Sequence, residues 1–155
     1  MSDAIPRVHH SAVCTGDVDA SLRFWRDGLG LRVLMDQAFD GDWPALFGAP
    51  STRLRSVFLG DPERPDAGIV ELVVFDPGAA PAAARPAIVG TPPPAAGFFL
   101  LSFFVDVETV LTRLSALGVG GAPRRITVPA PNGVAHMAVV RDPNGVLVEL
   151  IGLPA

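Results

Sequence analysis

The 155-residue chain contains one cysteine, Cys14. A single thiol excludes an internal disulfide framework and a cysteine-rich zinc site, and it fits a reducing compartment. Charge is scarce as well: only 18% of residues are charged, the net charge is −4 and the pI is about 5.2. The 12 basic residues form no stripe, and Arg124-Arg125 is their only adjacent pair. That pattern argues against a nucleic-acid partner. No run of about eighteen uncharged apolar residues is built to span a bilayer. The longest candidate, around residues 87–105, carries Pro92-Pro93-Pro94 within it. The opening residues Met1-Ser2-Asp3-Ala4-Ile5-Pro6 lack the basic-then-apolar pattern of a secretory signal. Together these absences lead to the expectation of a cytoplasmic protein with no membrane contact.

What the chain does have is apolar residues, 49% of its length, enough for one domain with a true core. It also has a repeat. One copy starts at Val8-His9-His10-Ser11-Ala12-Val13, passes through Asp17-Val18-Asp19-Ala20-Ser21-Leu22 to Leu29-Gly30, and closes at Ile69-Val70-Glu71-Leu72. The other starts at Phe99-Leu100-Leu101-Ser102-Phe103-Phe104, passes through Asp106-Val107-Glu108-Thr109-Val110-Leu111 to Leu117-Gly118, and closes at Leu147-Val148-Glu149-Leu150. A duplicated pattern implies two similar halves with corresponding positions near a pseudo-twofold axis. The alignment sets Glu71 against Glu149 and His10 against Leu100.

Alternation over residues 7–15 reads as a strand. Asp17 is placed to cap a following helix, whose apolar face is Val18, Leu22, Trp25 and Leu29, with Gly28 and Gly30 ending it. Residues 31–35 read as a second strand, 36–52 as a loop holding Phe39, Trp43 and Phe47, and 53–59 and 68–75 as two further strands. Residues 76–97 contain six of the 16 prolines and read as an irregular linker. The second half repeats the order. A strand spans 98–105, and a helix capped by Asp106 presents Val107, Leu111, Leu114 and Leu117 and stops at Gly118. Strands at 124–128, 134–140 and 146–151 follow, the last two joined by the turn signal Asp142-Pro143-Asn144-Gly145. The expected fold is therefore α+β: a first β-α-β-β-β module at 7–75, the linker, and a second module at 98–152, forming one domain with a curved mixed sheet around a cleft.

Three segments in this order, with the repeat, resemble the vicinal oxygen chelate superfamily: His9-His10-Ser11-Ala12-Val13, the stretch from Asp17 to Leu31, and Arg141-Asp142-Pro143-Asn144-Gly145-Val146-Leu147-Val148-Glu149-Leu150. Its members include glyoxalase I, methylmalonyl-CoA epimerase, extradiol dioxygenases, and fosfomycin- and bleomycin-resistance proteins. The resemblance covers about residues 7–152 and implies a metal ligand from the first and last strand of each half. Carried onto this chain, it implies ligation by His10, Glu71 and Glu149, with Leu100 in the fourth position. It also implies a homodimer; the mean hydropathy of +0.39 by itself implies only a generous apolar surface.

Two functions from different classes follow. One is a lyase or isomerase acting on a small oxygen-bearing organic substrate. In it a divalent cation (Zn, Ni, Mn or Fe) sits in a three-ligand site, and Glu71 and Glu149 move the proton beside a carbonyl. The other is a metal-free protein that sequesters a hydrophobic or aromatic compound, in the manner of antibiotic resistance. Leu100, with Ser102 and Phe104 at the same parity, makes a mostly apolar wall and favours the second. Among further candidates for small-molecule binding, Arg55 would clamp an anion, though with Arg53 it also suits a salt bridge to Asp36 or Asp42. Phe39 and Trp43 lie in a loop suited to covering an apolar ligand. Strand alternation turns His9 away from His10. His136 would replace the missing ligand if its side chain entered the cleft, but the resemblance implies that Met137 and Val139 face inward and His136 away. Cys14 shares His10's parity and reads as an inert thiol.

Overall fold

A computed structural model describes residues 5–75 and 96–154; the linker expected at 76–97 lies almost wholly outside the described residues. The elements run β1 (His10–Cys14), α1 (Val18–Leu22), β2 (Arg32–Asp40), α2 (Trp43–Phe47), β3 (Arg53–Gly60), β4 (Ile69–Phe75), β5 (Leu101–Phe104), α3 (Val107–Leu117), β6 (Arg124–Ala130), β7 (Gly133–Arg141) and β8 (Leu147–Gly152). They form two four-stranded mixed sheets, ordered β1-β4-β3-β2 and β5-β8-β7-β6. In each, the first strand of the repeat pairs parallel with the last and the other pairs are antiparallel.

The duplication extends to register. Glu71 stands opposite Ala12 on one side and Phe58 on the other. Glu149 stands opposite Ser102 and Val139 in the same way. Counting two residues back along the first strand of each sheet reaches His10 and Leu100, the correspondence drawn from the sequence.

The chain falls into two compact units that differ from the two repeats. One takes the chain up to Val18 and again from Leu31; the other takes Asp19–Gly30 together with the second half. The first unit holds the sheet of β1–β4, and the inward side of β3 and β4 is its core: Val57, Leu59, Val70 and Leu72 are all buried.

In the second unit the segment following α1 widens. Arg23–Gly28 forms a π-helical turn, with the Leu29 N–H donating to the Phe24 carbonyl at 2.9 Å. Phe24 and Trp25 are fully buried there. Gly28 lets this turn approach α3, because a Cβ at that position would lie 2.3 Å from Leu114 Cδ2. Leu114 is itself buried, so its side chain has little room to retreat. Gly28→Ala should therefore destabilise the unit by about 1–3 kcal/mol through overpacking, measurable by urea unfolding.

Two expectations for local structure need correction. Residues 36–40 are strand, not loop: β2 stays paired with β3 through Asp40 opposite Arg53. Its polar residues hid the strand because it is an edge whose exposed acids pair across the ladder, Asp36 with Arg55 at 2.7 Å and Asp40 with Arg53 at 3.3 Å. Residues 43–47 form a short helix, with the Asp42 side chain accepting from the Ala45 N–H and Gly48 in the left-handed region after it. In α3, Val110 rather than Leu117 joins Val107, Leu111 and Leu114 in the core.

Asp106 caps α3 as its position implied, its carboxylate accepting from the Thr109 N–H at 2.7 Å. Those hydrogen bonds from Thr109 hold the Asp106 carboxyl below its usual range. A carboxyl depressed in the folded state stabilises fully above its unfolded value of about 3.9. That stabilisation is lost as pH falls through the lower folded value. Asparagine also caps well but does not titrate. Asp106→Asn should therefore show a smaller fall in melting temperature than the parent between about pH 5 and about pH 3, as read by circular dichroism.

Candidate carboxylate centres

In the first unit, strand pairing places His10, Ala12 and Cys14 of β1 on one sheet face with Ser56 and Phe58 of β3 and Glu71 and Val73 of β4. Adjacent paired residues share a face, so the row Ala12–Glu71–Phe58 fixes the centre. Glu71, with 14% of its side chain exposed, is held from both sides. The Ser56 hydroxyl donates to Oε1 at 2.5 Å, and His10 Nε2 lies 3.2 Å from Oε2. The His10 ring packs on Phe58 with centroids 5.4 Å apart. Cys14 is exposed at the end of the same row of side chains. Its thiol is pushed up, first by the protein packed around it and second by the charge of Glu71, which keeps it a poor nucleophile.

His9 departs from expectation. It lies just before β1 begins, outside the regular ladder, so strict alternation does not turn it away. Its Nδ1 is 2.9 Å from His10 Nδ1, and its ring meets Phe58 at 5.9 Å.

Along the same face, Leu54 of β3 pairs with Phe75 of β4 and with Phe39 of β2. α2 lies at this end: Trp43 stacks on Phe47 at 5.9 Å, Phe47 meets Phe75 at 6.3 Å, and the Trp43 indole N–H donates to the Phe39 carbonyl at 3.4 Å. Phe39 and Phe47 remain exposed. Arg55 is on the opposite face from Glu71, with its guanidinium donating to both oxygens of Asp36.

In the second unit, the Ser102 hydroxyl donates to Glu149 Oε2 at 2.7 Å. The neighbouring row on this face joins Ile126, Met137, Ile151 and Phe104. Phe104 and Ile126 are well exposed. Leu100 precedes β5 and is half-buried. His136 pairs with Thr127 and Gly152 on the other face of β7. A groove of about 750 Å³ in this unit runs along α3 past Leu111, Leu114 and Val140 and includes none of the candidate residues.

The serines were the least legible part of the site. Ser102 shows through parity with Leu100. Ser56 shows only through the β3–β4 register, which a sequence does not state.

The donor chemistry fits a divalent cation in kind. An imidazole nitrogen and a carboxylate oxygen 3.2 Å apart have the spacing of two neighbouring ligands on one ion with bonds of about 2.1 Å. Among the described residues, no group of three or more His, Cys, Asp and Glu side chains gathers in a way that could hold a metal.

Two β-α-β-β-β repeats, each closing on a strand whose glutamate is held by a serine hydroxyl, define a duplicated mixed-sheet protein of the kind the opening motifs resemble. The chain belongs to the Glyoxalase/Bleomycin resistance protein/Dioxygenase superfamily, whose profile matches residues 7–150. It is similar to the lactoylglutathione lyase-like protein terB of Aspergillus terreus, with 36% identity over 153 residues, 95% of this chain and 75% of that one. Among solved structures, a glyoxalase family protein from Bacillus cereus superposes with a TM-score of 0.68 at 18% identity, covering 97% of this chain and 96% of that one. The trypanothione-dependent glyoxalase I of Leishmania major gives 0.59 at 22% identity, covering 96% and 87%. At those identities the two structures speak to fold alone. No helix among the described residues is long and apolar enough to cross a membrane.

Proposed function

We propose that this glyoxalase-like protein is a lyase or isomerase for a small oxygen-bearing organic substrate, with Glu71 and Glu149 as its proton-moving carboxylates. The observation that carries the reading is the duplicated centre: a glutamate at the same register in each sheet, each with a serine hydroxyl on one carboxylate oxygen. A carboxylate so held keeps its orientation while another lone pair remains able to accept a proton. The step is removal of the proton from the carbon beside a carbonyl, which in a hemithioacetal is the carbon bearing the hydroxyl and the sulfur, and its return to the former carbonyl carbon, while the hydroxyl proton passes to the former carbonyl oxygen. Bonds and electrons balance within the substrate, so no oxidant is needed. His10 and Glu71 would supply two ligands to a divalent cation. Bound there, the cation would polarise the substrate oxygen. Phe39 and Trp43 would take the apolar part of the substrate. Arg55, tied to Asp36, has no part in it. The protein would work as a cytoplasmic homodimer.

The name of the Aspergillus terreus relative chooses the first substrate to try, the glutathione hemithioacetal of methylglyoxal. Protein purified without chelator should carry close to one divalent cation per chain by elemental analysis and should form thioester from that adduct or from another hemithioacetal. Absence of metal, with no thermal shift on adding Ni²⁺, Zn²⁺, Mn²⁺ or Fe²⁺ and no turnover, would overturn the reading. A second reading is favoured by the exposed Phe104 and Ile126 beside Glu149: a metal-free protein that sequesters a hydrophobic or aromatic compound. It requires saturable binding of an aromatic ligand by chelator-treated protein.

A further inference from the structure

Arg124 and Arg125 are the adjacent basic pair of the sequence, and strand alternation sends them to opposite faces of the second sheet. Arg125 pairs across to Ala138 and Leu150, both buried, on the side of α3. There its guanidinium is bonded to Glu108. Arg124 belongs to the other face. Its row runs Arg124, Val139, Glu149 and Ser102 across β6, β7, β8 and β5. The hydrogen bond from Ser102 to Glu149 shows that side chains of this row share a face. Two strand spacings separate Arg124 from Glu149, about 10 Å between Cα atoms. Arg53, Arg55 and Arg125 each hold a carboxylate. Arg124 is exposed, and among the described residues no acid or carbonyl is bonded to its guanidinium.

We infer that Arg124 is a substrate-binding residue that selects for a carboxylate, so that the compound handled at Glu149 is an organic anion rather than a neutral carbonyl compound. This rests on the reading of Glu149 as a proton-moving carboxylate. The planar guanidinium fork takes both oxygens of a carboxylate. Glu149, at the far end of the row, repels the same group. The two charges therefore fix the direction of the substrate, with its anionic end over β6 and its acidic carbon over β8. Val139 stands between them in the row and offers no side-chain donor to compete for the anion. The spacing puts the carboxylate several bonds from the carbon that loses its proton. In a hemithioacetal that carboxylate belongs either to the thiol half or to the carbonyl half.

The test compares three hemithioacetals by steady-state kinetics. Methylglyoxal with 3-mercaptopropionate carries the carboxylate on the thiol half. 4,5-Dioxopentanoate with N-acetylcysteamine carries it on the carbonyl half, and methylglyoxal with N-acetylcysteamine is neutral. One anionic adduct should exceed the neutral one by about 10–100-fold in kcat/KM, the worth of a charge-assisted hydrogen bond, and whichever leads names the half. Arg124→Gln should remove that advantage mainly through KM, with far less effect on the neutral adduct, and Arg124→Lys should restore part of it. Arg125→Gln, an equal loss of charge from the other face, should keep the preference; circular dichroism checks that each variant is folded. Equal kcat/KM for all three adducts, or an anionic preference that survives Arg124→Gln, would overturn the inference. Binding is read separately by nitrogen-15 NMR of the arginine Nε–H groups, titrating 3-(methylthio)propionate and its neutral amide. The Arg124 signal should move with the carboxylate alone; movement with both alike, or with neither, would also overturn it. A protein whose Arg124 answers the carboxylate but which turns over no hemithioacetal would refute the proposed function and leave the role of Arg124 standing.

Discussion

Asp142→Ala is expected to destabilise the second unit by about 3–5 kcal/mol, the largest stability effect of any single change considered. Asp142 is buried, with 4% of its surface exposed, and its carboxylate satisfies four donors. Oδ1 accepts from the Asn144 and Val146 backbone N–H groups at 2.8 Å each. Oδ2 accepts from the Asn144 amide at 2.9 Å and the Trp25 indole N–H at 3.1 Å. Trp25 is fully buried, so its N–H would be stranded at a cost of about 1–3 kcal/mol. The turn between β7 and β8 would lose the bonds that close it. Asn144 would also be released from its second contact, 3.1 Å to the Ser21 hydroxyl. The measurement is the urea midpoint, with circular dichroism as the probe. A midpoint shift worth less than about 1 kcal/mol would show that the network is not what secures this turn.

Glu71→Gln is expected to lower turnover by about 10²–10⁴-fold, the usual contribution of a positioned acid or base. Glutamine keeps the size of the side chain and an acceptor for the Ser56 hydroxyl, but it cannot take up a proton. Its single carbonyl oxygen cannot face both Ser56 and His10. Glu149→Gln should act similarly, since Ser102 can still donate to the amide oxygen. Ser56→Ala removes only an orienting bond and should cost far less than Glu71→Gln. The check is the steady-state rate of hemithioacetal isomerisation, with circular dichroism showing that each variant is folded. Full activity in Glu71→Gln would remove that carboxylate from the reaction.

The repeated order of strands and helices was legible because each copy ends its helix with glycine and each closing strand carries Val-Glu-Leu. The Asp106 cap and the Asp142–Gly145 turn were legible for a related reason: a cap or a turn uses side chains within a few residues of the backbone they bind. The edge strand through Asp40 was not, because its acids look like loop residues until their arginine partners on β3 are in place. Asp142 read as a turn former; that it also anchors Trp25, 117 residues away in sequence, has no local signal. Nor does the association of residues 19–30 with the second unit, which cuts across the repeat.

The sequence by itself determined the superfamily, the duplicated element order and the two glutamates, since these follow from periodicity and short motifs that any local window contains. Tertiary structure alone decided that serines from different strand positions hold those glutamates, Ser56 in one sheet and Ser102 in the other. It also decided that His9 turns toward His10 and that Arg55 is neutralised by Asp36. Each of these depends on which strands become neighbours and in what register. Register is a property of paired strands, and one strand's sequence cannot specify it.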